Sequence, residues 1–283
     1  MSYSLFDLDQ STKNLKQKKN KLYTPIFRRI LLPGIVLMLA LGWSVFALRI
    51  RPGHFFDGLP HFFNLVSEMF PPNWEVLTRG RVLFSVLEVL SMAFLGTFIG
   101  GLCAFLLALP ASGSLSQSGS IRAFFKGILA FERSIPSLII ALLLIVVIGL
   151  GPFTGLVTVA IGSIGMLGKM FGDAIENVDP KPLESLKSTG ATKIQIIRYA
   201  VLPQVIPSFI ANTLFRFDIN LRVALFLGVI GGGGIGFEIH LAMSLFRYAD
   251  ALAITALTLT VIWFAEKVSD YLRKKIIGKE ILQ

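Results

Sequence analysis

The sequence predicts an all-α integral membrane protein, a polytopic bundle of about six transmembrane helices. Three observations predict it. Mean hydropathy is +0.71. Hydrophobic residues make up 54% of the 283 residues and charged residues 16%, where a soluble domain carries about 25% charge. Uncharged stretches of bilayer length also recur, beginning with the 19 residues Ile30–Leu48, close to the roughly 20 that a helix needs to cross the hydrocarbon core. The net charge of +10 does not argue for nucleic acid here, because a bilayer protein collects Lys and Arg on its cytoplasmic side. A single cysteine, Cys103, excludes a disulfide framework and a cysteine metal site.

Residues 1–29 form a polar tail with seven Lys and Arg, suited to an anionic lipid surface. Ile30–Leu48 reads as a retained first span rather than a signal peptide, since the tail is long for an n-region and no small-x-small site follows. Residues 30–79 are this span and an external segment. That segment is rich in aromatics (Phe55, Phe56, Phe62, Phe63, Phe70, Trp74), and Leu59–Met69 suits a helix lying in the interface. The second span is Val82–Leu109, with Gly96-x-x-x-Gly100 for close helix contact. A Gly/Ser loop, Ala111–Ser120, leads to the third span, Gly127–Leu150, which carries Glu132, Arg133 and Pro136 near its entry. Gly151-Pro152 makes a tight outer turn into the fourth span, Gly151–Gly168. There Gly162, Gly165 and Gly168 repeat every third residue as a packing stripe.

Asp179–Gln195 reads as two short helices set at an angle. Asp179 caps the first, Pro180 suits its first position, and Gly190 ends it in the left-handed region. Thr192 with Gln195 is a capping box that starts the second. A built helix–turn–helix is more than a connector requires, and it reads as a surface gripped by a soluble partner. The fifth span is Pro207–Ile230, followed by a glycine-rich outer segment, Gly231–Tyr248. The sixth, Ala251–Tyr271, has only 15 residues before Glu266. Its inner end is held by Lys267, Arg273, Lys274 and Lys275 at the headgroups, and residues 273–283 form a short tail.

Six spans put both ends on one side. Nineteen Lys and Arg then share the face of the termini and the 179–195 loop, against five on the other (Arg49, Arg51, Arg79, Arg81, Arg247). The positive-inside rule places the larger set in the cytoplasm.

The fifth span is the chemical anomaly. Arg216, Asp218 and Arg222 lie near its middle, where each charge costs about 2.5–3.5 kcal/mol on insertion scales. Asp218 and Arg222 are spaced i,i+4 with the acid first, the better orientation for a pair. Asn212, Arg216 and Asn220 form a second i,i+4,i+8 line on nearly the opposite side. Such a helix belongs inside a bundle, either as an ion-pair clamp or facing a polar solute. The clamp leaves Arg216 over, and net positive charge suits an anion.

Other motifs fail in context. Gly231, Gly233 and Gly236 spell G-x-G-x-x-G, but they follow a membrane helix rather than a strand. With Gly232 and Gly234 they read as a flexible, closely approached turn at the outer mouth. No Gly-Lys is followed by Ser or Thr, so the chain has no Walker A site and does not bind ATP in that way. His54, His61 and His240 are scattered, no HExxH occurs, and neither a metal site nor a catalytic set is expected. Glu88 and Glu132–Arg133 read as snorkelling or paired residues near span ends, with Arg133 deep enough for a pathway role.

The 179–195 loop resembles the cytoplasmic coupling motif of ABC importer permeases, in which a Glu-Ala-Ala block precedes Gly-Ala and then Leu-Pro. The corresponding residues are Glu184-Ser185-Leu186, Gly190-Ala191 and Leu202-Pro203, with Ser185 and Leu186 departing from the general pattern. RSIPSLIIALLLIVVIGLGPFTG, IGMLGKMFGDAIENVDPKPLESLKSTGAT and LRVALFLGVIGGGGIGFE resemble the permease of phosphonate importers. The likeness covers about residues 80–272. It implies the type I importer fold in the bacterial cytoplasmic membrane, a homodimer of permeases, two ATP-binding cassette subunits and a periplasmic or lipid-anchored solute-binding protein. It also implies that ATP and Mg are bound by the ATPase subunits, with no cofactor on this chain. By the same likeness Pro182, Glu184, Ser185, Leu186, Gly190 and Ala191 meet the ATPase. Arg216, Asp218, Asn220, Arg222 and Arg133 then border the path of a phosphonate or related phosphorus oxyanion such as phosphite or phosphate. A permease for another small solute such as an amino acid is the nearest rival. An ion channel would need no such loop, and a membrane enzyme would need the acid/base or metal set that is missing.

Overall fold

A computed structural model describes residues 30–49, 52–78, 80–113 and 118–280. The basic tail 1–29, residues 114–117 of the Gly/Ser loop and the last three residues of the C-terminal tail lie outside the described residues. Those described are overwhelmingly helical, with no strand among them. They fall into two units divided at Asn64 and Leu65.

The first unit holds α1, Ile30–Ala47, an unbroken apolar helix whose residues are all exposed, and the start of α2, Pro52–Met69. The helix expected over Leu59–Met69 therefore begins seven residues earlier, at Pro52, where proline suits a first helical turn.

The second unit is the bundle. A short 3₁₀ turn, Trp74–Thr78, precedes α3, Gly80–Ala111. At 1.5 Å per residue, the 32 residues of α3 span about 48 Å. Gly96 and Gly100 let it approach α6, Pro152–Glu176. A Cβ at Gly96 would stand 2.6 Å from Val159 Cγ1, and one at Gly100 2.5 Å from Ala160 O.

The third span is not one helix. It is α4, Gly119–Arg133, and α5, Ser137–Ile148, bent by 84°. Pro136 supplies no N–H and pushes the residue before it out of the helical region. At 12 residues, α5 is about 18 Å long, too short to cross a bilayer alone. The glycine stripe of α6 receives this broken segment: Gly168 faces Leu129, a Cβ there lying 2.5 Å from Leu129 Cδ2, and Gly162 faces Ser137. The fourth span also outruns its expected end at Gly168, continuing two further turns to Glu176 through Lys169 and Asp173.

After α7, Pro180–Ser188, helical backbone runs from Lys193 to Gly232. It comprises α8, Lys193–Ile196, a π turn at Ile197–Val201, α9, Leu202–Leu227, and a second π turn at Gly228–Gly232. The second helix of the 179–195 segment is thus the start of the fifth span rather than a short separate helix. The first π turn lies just before Pro203, which can donate no hydrogen bond to the turn preceding it. The glycine-rich outer segment holds α10, Ile235–Ser244, bent by 52° from the run before it. The last helix, α11, covers Tyr248–Glu280, extending the sixth span at both ends. Four helices are long and apolar enough to cross a membrane, and each of the two bent pairs, counted as one span, brings the total to six.

Candidate functional site

The 179–195 segment is capped at every joint. The Asp179 carboxylate accepts the Lys181 N–H at 3.0 Å, and Pro180 opens α7. At the other end Gly190 has φ +78°. Its N–H donates to Lys187 O at 3.0 Å, while Ala191 N–H donates to Leu186 O at 3.1 Å, the pair of bonds that closes a Schellman cap. The Thr192–Gln195 capping box forms in both directions.

Packing then fixes the capped helix. Leu183 is buried among Phe171 and Ile175 of α6 and Ile196, Ala200 and Val205 of the fifth-span run, with Leu186 and Ala191 at the edge. Burying one such leucine contributes about 1.5–3 kcal/mol. The Asp179 N–H also donates to the Gln204 side chain at 2.9 Å, tying the start of α7 to α9. Pro182, Glu184, Ser185 and Gly190 all remain exposed. The segment is therefore a rigid polar ledge whose displacement must move α6 and α9 with it. Ile194 and Tyr199 beside it are 77% and 62% exposed. The sequence reading passed over them, though bulky apolar residues next to a basic polar helix mark a covered surface.

The polar centre departs from expectation. Asp218 does not pair with Arg222. It accepts from Arg273 of α11 at 2.6 Å, while Arg222 pairs with Glu266, also of α11. The two helices run antiparallel, so residues 222 and 218 on one meet 266 and 273 on the other. Ser269 between them donates to Leu214 O at 3.4 Å. A charge inside an apolar bundle gains more from a facing helix that excludes water than from an exposed i,i+4 neighbour, worth only 0.2–0.5 kcal/mol. This zipper also answers the short sixth span, because Glu266 is neutralised within the bundle.

Arg216 is sealed in, with 8% of its surface exposed. Its guanidinium donates to Gly162 O at 2.5 Å and Ser163 Oγ at 3.3 Å on α6, and touches Met166 Sδ. Asn220, fully buried, donates to Thr97 Oγ1 at 2.7 Å and Ser163 Oγ at 2.8 Å. The expected line of Arg216 and Asn220 is thus one network joining α3, α6 and α9. On the far side of α6 the Glu132 carboxylate accepts the Gly165 N–H at 2.6 Å, an arrangement possible only because Gly165 has no side chain there. Arg133 stands apart, exposed in a cleft between α4 and α6.

The outer glycines form a tied turn rather than a loose one. Gly231, Gly233 and Gly234 have φ of +105°, +74° and +74°. Gly231 O accepts from Gly151 N at 2.9 Å, and Gly234 N donates to the Glu88 carboxylate at 2.9 Å. Gly233 stacks on Pro152, where a Cβ would lie 2.7 Å from the ring. Gly232 faces Gly155 of α6, and Gly236 packs on the backbone of Leu225. A cleft of about 340 Å³ opens beside this turn, bordered by Glu88 and by Arg81, which pairs with Glu238 at 2.6 Å.

Residues 80–278 match the family described as "Binding-protein-dependent transport system inner membrane component". The chain belongs to this family. Among curated relatives of this inner-membrane component is the phosphate-import permease protein PhnE of Mycolicibacterium smegmatis, 35% identical over 83% of this chain and 44% of its own length. The chain therefore spans less than half of that relative. Two proteins of Stutzerimonas stutzeri match over most of their length. The putative phosphite transport system permease protein HtxC is 32% identical over 86% of this chain and 85% of its own, and the phosphite transport system permease protein PtxC is 31% identical over 77% and 78%. Among solved structures, a methionine ABC transporter in inward-facing conformations aligns with TM-score 0.60 and 21% identity, over 71% of this chain and 96% of that one. An ABC transporter for import of the acidic polysaccharide alginate aligns with TM-score 0.62 and 18% identity, over 90% and 99%. At such identities the agreement is one of fold: this inner-membrane component has the architecture of ABC importer permeases.

Proposed function

We propose that the chain is the permease of an ATP-driven importer for phosphonate or a related phosphorus oxyanion such as phosphite or phosphate. In this reading two copies form the membrane pathway, two ATP-binding cassette subunits carry ATP and Mg, and an external solute-binding protein delivers the cargo. The chain itself does no catalysis. Both termini and α7 face the cytoplasm, as the nineteen-to-five charge split favours.

The observation that carries the transport reading is α7, a helix capped at both ends, anchored through Leu183 and exposed through Glu184 and Ser185. Closure of an ATPase dimer must reach the membrane through a small rigid contact, and α7 passes such a push to α6 and α9. The ATPase can shift the permease only by its differential affinity for the inward and outward states. The substrate reading rests on relatives whose names specify phosphate or phosphite, supported by unpaired positive charge at membrane depth. Arg216, Asn220 and the two α9–α11 pairs hold the helices that border the path, and Arg133 reaches it. An amino-acid cargo is the second reading, favoured by more distant relatives named as methionine permeases at 24–28% identity.

Co-purification tests the transport reading. A nucleotide-binding subunit should accompany the chain and be lost on Glu184→Lys. A chain that conducts solute alone, with no such subunit, would be a channel.

A further inference from the structure

A second polar cleft lies away from the outer glycines, between the end of α3, the inner half of α4 and the last turns of α6. Its volume is about 250 Å³, small beside the 300–1,000 Å³ of sites for drug-sized ligands. Three cations border it, Lys126, Arg133 and Lys169, against one carboxylate, Asp173. Lys126 is engaged by Glu176 at 2.9 Å. Among the described residues no carboxylate forms an ion pair with Arg133 or Lys169. Glu132, next to Arg133, is turned to the Gly165 N–H instead.

The walls are set by close packing rather than by chance surface. Leu129 seats on Gly168, and Glu176 clamps Lys126 together with the Gly113 N–H at 2.8 Å. The fork of Arg133 and the ammonium of Lys169 are thereby held on two helices facing one small space. Lys169 stands seven residues before the end of α6, about 10 Å inward along the helix axis. An ionisable residue at that depth marks a solute path unless it is paired.

We propose that this cleft binds a tetrahedral phosphorus oxyanion on the proposed cytoplasmic side, with Arg133 giving two donors to its oxygens and Lys169 one. The site deepens the importer reading and rests on it for orientation. A guanidinium matches the oxygens of a phosphoryl group in pairs, while an ammonium adds a point charge. The remaining positive charge suits a dianion. The same chemistry is offered by free phosphate or phosphonate and by a phospholipid headgroup, and the test separates them.

In a Cys103→Ser background the full chain carries Ala130→Cys, on the cleft wall, and is reconstituted in phosphatidylcholine bilayers. A charged thiol reagent is applied with and without inorganic phosphate, at fixed ionic strength set with chloride. Phosphate at ten times its dissociation constant should slow labelling about tenfold, since only the empty fraction reacts. Arg133→Gln with Lys169→Gln should raise the half-protecting concentration at least about tenfold, a loss of 1.4 kcal/mol or more. Both side chains are exposed, so melting should not move. Adding phosphatidylglycerol is the second arm. Protection by this lipid alone, lost in the same variant, assigns the site to a headgroup phosphate. Labelling insensitive to both phosphate and lipid, or protection unchanged in the double variant, overturns the proposal. Uptake is measured separately: a complex that imports another solute yet shows phosphate protection would refute the importer's substrate and leave the cleft standing.

Discussion

The crossed pairs between α9 and α11 make a prediction that helix-local reasoning reverses. Asp218 has only 13% of its side chain exposed and Arg273 25%, so this pair is largely removed from solvent. Replacing Arg273 by Ala leaves Asp218 charged and nearly buried, one of its oxygens already without a partner. Breaking a buried pair from one side costs roughly 3–5 kcal/mol, and partial exposure of Arg273 places the expected loss near the lower bound. Arg222 is 60% exposed and Glu266 30%, so Arg222→Ala should cost no more than about 1 kcal/mol, as exposed pairs do. Thermal melting of purified variants should therefore rank Arg273→Ala well below wild type and Arg222→Ala close to it. Asp218→Asn with Arg273→Gln should recover most of the loss, because no charge is then orphaned. If Arg222→Ala melts as low as Arg273→Ala, or if Asp218→Asn rescues Arg222→Ala, then Asp218 pairs within its own helix and the zipper is wrong.

Three further outcomes follow from the same geometry. Gly190→Leu forces a side chain to φ +78°, and Glu184→Lys reverses charge on the exposed face of α7. Both should leave insertion intact while uncoupling ATP hydrolysis from uptake, and wild-type uptake by both would reduce α7 to a connector. Arg216→Gln removes charge-assisted donors to Gly162 and Ser163, each worth about 1.5–3 kcal/mol. Melting should fall with uptake, Arg216→Lys should recover part of each, and loss of uptake at unchanged melting would show direct contact with solute. With Cys103→Ser, cysteines at Ser118 and Thr189 should resist an impermeant reagent in intact cells while those at Asn64 and Ser244 react. Labelling at Thr189 from outside would invert the topology.

Much of this architecture was legible because membrane helices announce themselves one at a time. The caps of α7 are local chemistry, and Asp179, Gly190, Thr192 and Gln195 each take the role their residue type favours. Gly96, Gly100 and the stripe at 162, 165 and 168 could be read as contacts, since small residues at helical spacing have few other uses in a bilayer. What the stripe would receive could not be read: the 84° break at Pro136 and the seating of Leu129 depend on α4 folding back along α6. Pairing in the fifth span was misassigned for the same reason. Spacing reveals that Asp218 and Arg222 are neighbours on one helix, but not that Glu266 and Arg273 approach from another. Arg216 lacked a partner in its own span because its acceptors are backbone and hydroxyl oxygens 53 and 54 residues away. The cleft of Arg133 and Lys169 escaped notice because Lys169 was placed in a loop, and only the extension of α6 to Glu176 puts it on a helix beside α4.

The central claim is that this chain passes a phosphorus oxyanion through the membrane at the expense of ATP held by a partner. The most direct measurement is uptake of labelled methylphosphonate into proteoliposomes containing the chain with its nucleotide-binding subunit and solute-binding protein. The account predicts uptake that needs ATP, is competed by unlabelled phosphonate, phosphite or phosphate and not by methionine, and stops on Gly190→Leu. Uptake of methionine in preference to every phosphorus oxyanion, or methylphosphonate flux that continues without ATP, would contradict it.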